Sequence, residues 1–182
     1  MKRKRTLEAP RLLGIIWPFV AVVLFQALLG SISLYALSAV RGYVAGESLW
    51  SKGQKDAIYF LNLYVDSRDE AVYQKYRQAI AVPQGGHELR VALDRQPPDL
   101  PSAREGILKG GNHPDDIDSI IWLYLNFRHV SYLERAIDRW SVGDDYLQQL
   151  DALANQIHQR VAAGDISPQA ISAWKDRIAA IN

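Results

Sequence analysis

Cysteine is absent from this chain of 182 residues. No disulfide can cross-link it and no thiolate can act as nucleophile or ligand, so a folded domain must be held by its apolar core. Charge is absent from one long stretch. Between Arg11 and Arg41 no side chain is ionised, a run of 29 residues from Leu12 to Val40. As a helix this run rises about 43 Å, against a bilayer hydrocarbon core of about 30 Å. Catalytic signatures are missing as well. Gly110-Gly111-Asn112 lacks the length and the Lys-Ser/Thr of a phosphate loop, no His-x-x-x-His pair lies on one helix face, and the serines have no nucleophile elbow. No catalytic residue, metal site or cofactor is implied. Neither a strand pattern nor a low-complexity segment stands out.

What is present is a division of charge. Residues 1–11 carry Lys2, Arg3, Lys4, Arg5 and Arg11 against Glu8, a net +4, whereas residues 41–182 sum to −3. A mildly acidic domain with interspersed signs argues against nucleic acid as a partner. The basic tail reads as a topology signal that keeps the N-terminus in the cytoplasm and exports everything from residue 41. Two other readings of 12–40 fit less well. A cleaved leader has an apolar core half as long, and Ala36-Leu37-Ser38 is a weak cleavage match. A buried core helix seldom runs this far without charge beside a basic cluster. The expected organisation is a cytoplasmic tail over 1–11, a transmembrane signal anchor over 12–40 and a periplasmic domain over 41–182, at a bacterial inner membrane.

Apolar spacing of three and four recurs along the exported part, which predicts an all-α fold: an antiparallel helical bundle of about four long helices plus short ones. The membrane helix is expected to continue outward through Val65. Ser67-x-x-Glu70 reads as a capping box opening a helix to about Ala81, ended by Pro83 and Gly85-Gly86. Ser102-x-x-Glu105 reads as another, and His113-Pro114-Asp115-Asp116 as a helix start with acids at the positive dipole end. A strongly apolar helix follows from Ile117, running through Phe127 and Val130 and either interrupted at Gly143 or continuing toward Gly164, and Ser167-Pro168 restarts the last one. That helix reaches Asn182 with no Gly, Pro or polar tail, so the chain is expected to be the amino-terminal piece of a longer protein with a second span and a cytoplasmic output.

Few residues stand out as a site. Asn126, Arg128 and His129 interrupt an apolar run, and with Phe127 turned to the core Arg128 and His129 lie to one side, within reach of Asp115, Asp116 or Glu47. One reading is a structural ion pair or a solvated face. The other is a pocket for a small polar or anionic ligand, formed with His113 and walled by Trp50, Trp122 and Tyr124. Ser38, Gly42 and Gly46 recur every four residues, so two copies could approach closely there as a homodimer, although small residues are common in membrane helices anyway.

Three segments, Glu47 to Ala57 (ESLWSKGQKDA), Gly110 to Ile117 (GGNHPDDI) and Asn126 to Tyr132 (NFRHVSY), resemble the HmsP-like periplasmic sensory region of bacterial inner-membrane signalling proteins. These are hybrid sensor histidine kinases and cyclic-di-GMP cyclases or phosphodiesterases. The resemblance covers most of residues 12–182 and implies an input module that governs surface-attached, biofilm growth, with enzymatic activity in parts this segment lacks. A membrane-anchored adaptor that binds another periplasmic protein is the alternative.

Overall fold

The computed structural model of the chain describes residues 9–181, and every element among them is helical. Most of the basic tail therefore lies outside the described residues. Helix α1 (Ala9–Ser67) runs without a break from the apolar stretch into the domain, with Pro18 inside it. From Ile16 onward it holds a candidate membrane span, with a window of mean hydropathy 2.1 that is not buried at all. The chain divides within this helix into two compact units, Met1–Ser38 and Ala39–Asn182. The second unit carries all the packing described below.

Helix α1 ends where Arg68 takes a left-handed φ of 57°, its N–H still donating to the Tyr64 carbonyl at 2.8 Å. Helix α2 (Glu70–Asp94) then turns back along α1. Its cap is Asp69, whose carboxylate accepts the Ala71 N–H at 2.9 Å, so the expected Ser67–Glu70 box does not form. Glu70 is drawn off to Gln74 and His158 instead, at 2.7 and 2.9 Å.

The larger correction concerns length: α2 does not stop near Ala81 but continues through Pro83, Gly85 and Gly86 to Asp94. Packing explains why. Pro83 removes one hydrogen bond to the Ala79 carbonyl and would push a neighbouring helix away. At that level α1 presents Gly53, where a Cβ would stand 2.9 Å from the Pro83 ring and 3.0 Å from that carbonyl. A residue without a side chain lets α1 close over the defect. The two glycines likewise serve close approach and not termination.

Helix α3 (Leu100–Lys109) begins earlier than the Ser102 pattern suggests. Asp99 caps it, accepting the Ser102 N–H at 3.2 Å and the Ser102 hydroxyl at 2.7 Å. These bonds, the hydroxyl's first, hold the Asp99 carboxyl below its ordinary value. A single 3-10 turn, Pro114–Asp116, leads into α4 (Ile117–Phe127) as expected, with His113 Nδ1 accepting the Asp115 N–H. The apolar run then breaks at residues 128–130, with Val130 extended, before α5 (Ser131–Ala162), which passes Gly143 uninterrupted. Helix α6 (Pro168–Ile181) starts at the expected place, where Ser167 Oγ accepts the Ala170 N–H at 3.1 Å.

Two apolar cores result. In the larger, Leu61 and Tyr64 of α1 meet Tyr76 and Ile80 of α2, Leu150, Leu153 and Ile157 of α5, and Trp174 and Ile178 of α6. Each such side chain contributes about 1.5–3 kcal/mol by leaving water. In the smaller, Ala92 and Leu93 of α2, Ala103 and Ile107 of α3, and Ile117, Ile120, Ile121 and Tyr124 of α4 pack together.

The His158–Glu70 contact yields a first expected result. Hydrogen bonds from His158 and then Gln74 lower the Glu70 carboxyl from its ordinary 4.5. A depressed carboxyl contributes stability above pH 4.5 that is lost as pH falls through the lowered value. In His158→Ala, NMR titration of the Glu70 carboxyl should show its midpoint moving up toward 4.5. An unmoved midpoint would remove His158 as the cause.

Candidate functional site

The Gly-rich levels of α1, α2 and α5 enclose a cavity of about 70 Å³, room for a handful of waters or a ligand of few atoms. Helix α1 supplies Tyr43, Glu47 and Trp50 to its wall, and α2 supplies Leu89 and Arg90. Ile120 and Tyr124 of α4 and Leu133, Trp140 and Asp144 of α5 complete it. Most of the lining is apolar or aromatic.

The placement of Trp50 follows from two glycines. A Cβ on Gly86 would touch its ring at 3.2 Å, and one on Gly143 would touch it at 3.1 Å. The indole thus lies in a slot between α2 and α5. Beside it Tyr43 and Trp140 pack with ring centroids 5.3 Å apart. Tyr43, Glu47, Trp50 and Trp140 also border an open trough that includes Arg135 and Arg139.

Arg90 and Asp144 stand on the polar side of the cavity and belong to a chain of polar groups from α2, α5 and the end of α4. Arg90 donates to Asp144, a side chain only 6% exposed, and His87 Nδ1 stands 2.9 Å from the same carboxylate oxygen. Asp94, one turn after Arg90, accepts from the Tyr124 hydroxyl at 2.9 Å and from Arg128 at 3.1 Å. Burial first, then the bond to Asp94 and that carboxylate's charge, raises the Tyr124 phenol well above its ordinary value, so it remains a neutral donor. Arg90 Nε is buried and has no hydrogen-bond partner among the described residues. A buried donor without an acceptor is a destabilising feature that a ligand oxygen would relieve.

Of the residues singled out in the sequence, Trp50, Tyr124 and Glu47 line the cavity, and the others do not converge on it. Asp116 pairs with Arg41 at 2.9 Å, and His113 and Asp115 are exposed around their own turn. Arg128 does not meet Asp115, Asp116 or Glu47; Asp94 holds it, while its Nε points at His129 at 3.2 Å. Asn126 donates to the Trp122 carbonyl of its own helix, and Trp122 packs edge-on against Phe127. Gly42 and Gly46 do permit a close approach, but within the chain: added Cβ atoms would meet Asp116 and Ile120 at 3.2 and 3.3 Å, and Asn112 at 2.9 Å. Ser38 is half-buried in the other unit.

Sequence reasoning passed over His87, Arg90, Asp94 and Asp144. Arg90 and Asp94 carry a visible signal, opposite charges four residues apart, but Asp144 lies 54 residues further on. Among the described residues no group of three or more His, Asp or Glu is placed to hold a metal ion. No family model, curated protein or solved structure matches the chain.

Proposed function

We propose that this chain is the exported input module of a membrane-anchored bacterial signalling protein. It sits in the inner membrane with its N-terminus in the cytoplasm, its helical bundle in the periplasm and a second copy of itself as partner. The observation that supports this most is the continuity of α1: the residues that wall the cavity and those of the candidate span belong to one helix. A small ligand that binds Trp50, Tyr43 and the free Arg90 Nε shifts the packing of α1 against α2 and α5. A rigid helix carries that displacement inward as a slide or rotation of the span, to an output that controls surface-attached growth.

A Gly-Gly pair replacing Ser48-Leu49 tests the route. Two glycines inside a helix weaken it by about 2 kcal/mol in total, which leaves the apolar cores in place and softens the connection. Circular dichroism of the purified variant should match the parent, while cells carrying the full-length gene lose the surface-growth response. Unchanged signalling from a folded variant removes the mechanical route and favours an anchored adaptor. The lack of native cysteine makes topology equally direct to measure. Lys55→Cys should react with a membrane-impermeant maleimide from the periplasmic side.

A further inference from the structure

Helix α4 is apolar on more faces than it buries. Ile117, Ile120, Ile121 and Tyr124 fill the smaller core, yet Leu125, Phe127 and Val130 of the same run are 37%, 38% and 50% exposed, beside a half-buried Trp122. Trp122 packs on Phe127, and Val130 N–H donates to the Phe127 carbonyl, so these three form one apolar patch at the C-terminal end of α4, while Leu125 shares its side of the helix with Asp118.

Where this face lies follows from the register of the second unit. Helix α2 runs antiparallel to α1: Tyr73 packs on Tyr64, Pro83 on Gly53 and Gly86 on Trp50. Its last residue, Asp94, has therefore returned to the level at which α1 enters the unit. Helix α5 runs parallel to α1, with Trp140 at Tyr43, Gly143 at Trp50 and His158 at Tyr64. Val130 stands ten residues before Trp140, about 15 Å nearer that same end at the helical rise. Both ends of α4 are tied there, Asp116 to Arg41 and Arg128 to Asp94. Arg41 is the first charge after the uncharged run.

We infer that the apolar patch at the end of α4, Trp122 and Phe127 with Val130 in the break after it, rests in the interface of the phospholipid leaflet from which α1 emerges. This rests on the anchored reading above. Lipid is favoured over another protein by continuity: the patch closes the end of the domain at which Arg41 follows directly on the run that spans the bilayer. Its composition, Trp and Phe with valine beside Arg128 and His129, suits the depth where rings meet headgroups.

The test uses the full chain, which has no native cysteine, in phosphatidylethanolamine–phosphatidylglycerol vesicles. Phe127→Cys, Val130→Cys, Val142→Cys and Leu29→Cys are each labelled with an environment-sensitive fluorophore. Val142 is an apolar control, 57% exposed on α5. Nitroxides on the upper acyl chain should quench labels at 127 and 130 several-fold more than at 142, and deeper nitroxides should quench 29. Labels at 127 and 130 quenched no more than 142, with 29 quenched, overturn the docking and leave the anchor intact. Labels at 127 and 130 shielded from both nitroxide and aqueous iodide overturn it in favour of a second copy or another protein. An unquenched label at 29 overturns the anchored reading itself, and the docking with it.

Discussion

Alanine at Gly85 is expected to destabilise the helical domain that follows the apolar stretch by about 2 kcal/mol. A Cβ built there stands 2.5 Å from the Gly106 carbonyl oxygen and 2.5 Å from the Gly110 nitrogen, and Gly106 in turn would meet Gly85 and Leu89 backbone at 2.7 Å. Every one of these neighbours is main chain, so no side chain can rotate away and the helices must part. Overpacking of this kind costs about 1–3 kcal/mol, and the contact here belongs at the top of that range. Alanine's better helix propensity returns about 1 kcal/mol. Two controls frame the result. Gly86→Ala meets only the edge of the Trp50 ring at 3.2 Å, and Gly30→Ala meets nothing within 4 Å. Urea titration of the detergent-solubilised chain should rank Gly85→Ala well below both. Equal midpoints for Gly85→Ala and Gly86→Ala would mean that α2 and α3 do not touch backbone to backbone.

Asp144→Ala should have a larger effect. Asp144 is 5% exposed, and its removal leaves the Arg90 guanidinium, 17% exposed, with the more distant Asp94 at 3.9 Å and His87 Nδ1 at 3.5 Å. Breaking a buried pair from one side costs about 3–5 kcal/mol, and the remaining exposure of Arg90 together with Asp94 places the expected loss near ~3 kcal/mol. Removing both charges should be far milder. In Arg90→Met with Asp144→Leu no charge is left stranded, and such replacements are often neutral. The double-mutant cycle by thermal unfolding should therefore show strong positive coupling. Additive single and double losses would mean that the two side chains are not partners.

The extent of helix was legible, because a charge-free run followed by apolar spacing of three and four admits little else. The start of α6 was legible too, since Ser167 and Pro168 act locally. Helix α2 was not. Pro83 and Gly85-Gly86 are terminators by local rules, and only the approach of Gly53 on one side and Gly106 on the other turns them into packing residues. The caps at Asp69 and Asp99 show the same limit on a smaller scale: a serine pattern matched, but a neighbouring carboxylate accepts the free N–H groups more strongly. The break at 128–130 carries neither Gly nor Pro, and its cause is tertiary, with Arg128 drawn to Asp94. The cavity was hidden for a similar reason. Of its walls, Trp50 and Tyr124 could be singled out by type, but Asp144, the carboxylate that Arg90 donates to, lies 54 residues from it.

The backbone-to-backbone seat of Gly85 on Gly106 has a mechanical consequence. Slipping one helical turn along it would bring Ala81 or Leu89 opposite Gly106, and neither side chain fits where a hydrogen atom now sits. The joint between α2 and α3 is keyed, with a single permitted setting, and these two helices travel together as one block. Play in the domain is confined to the seams around the Trp50 slot, where the facing atoms are ring edges and can give.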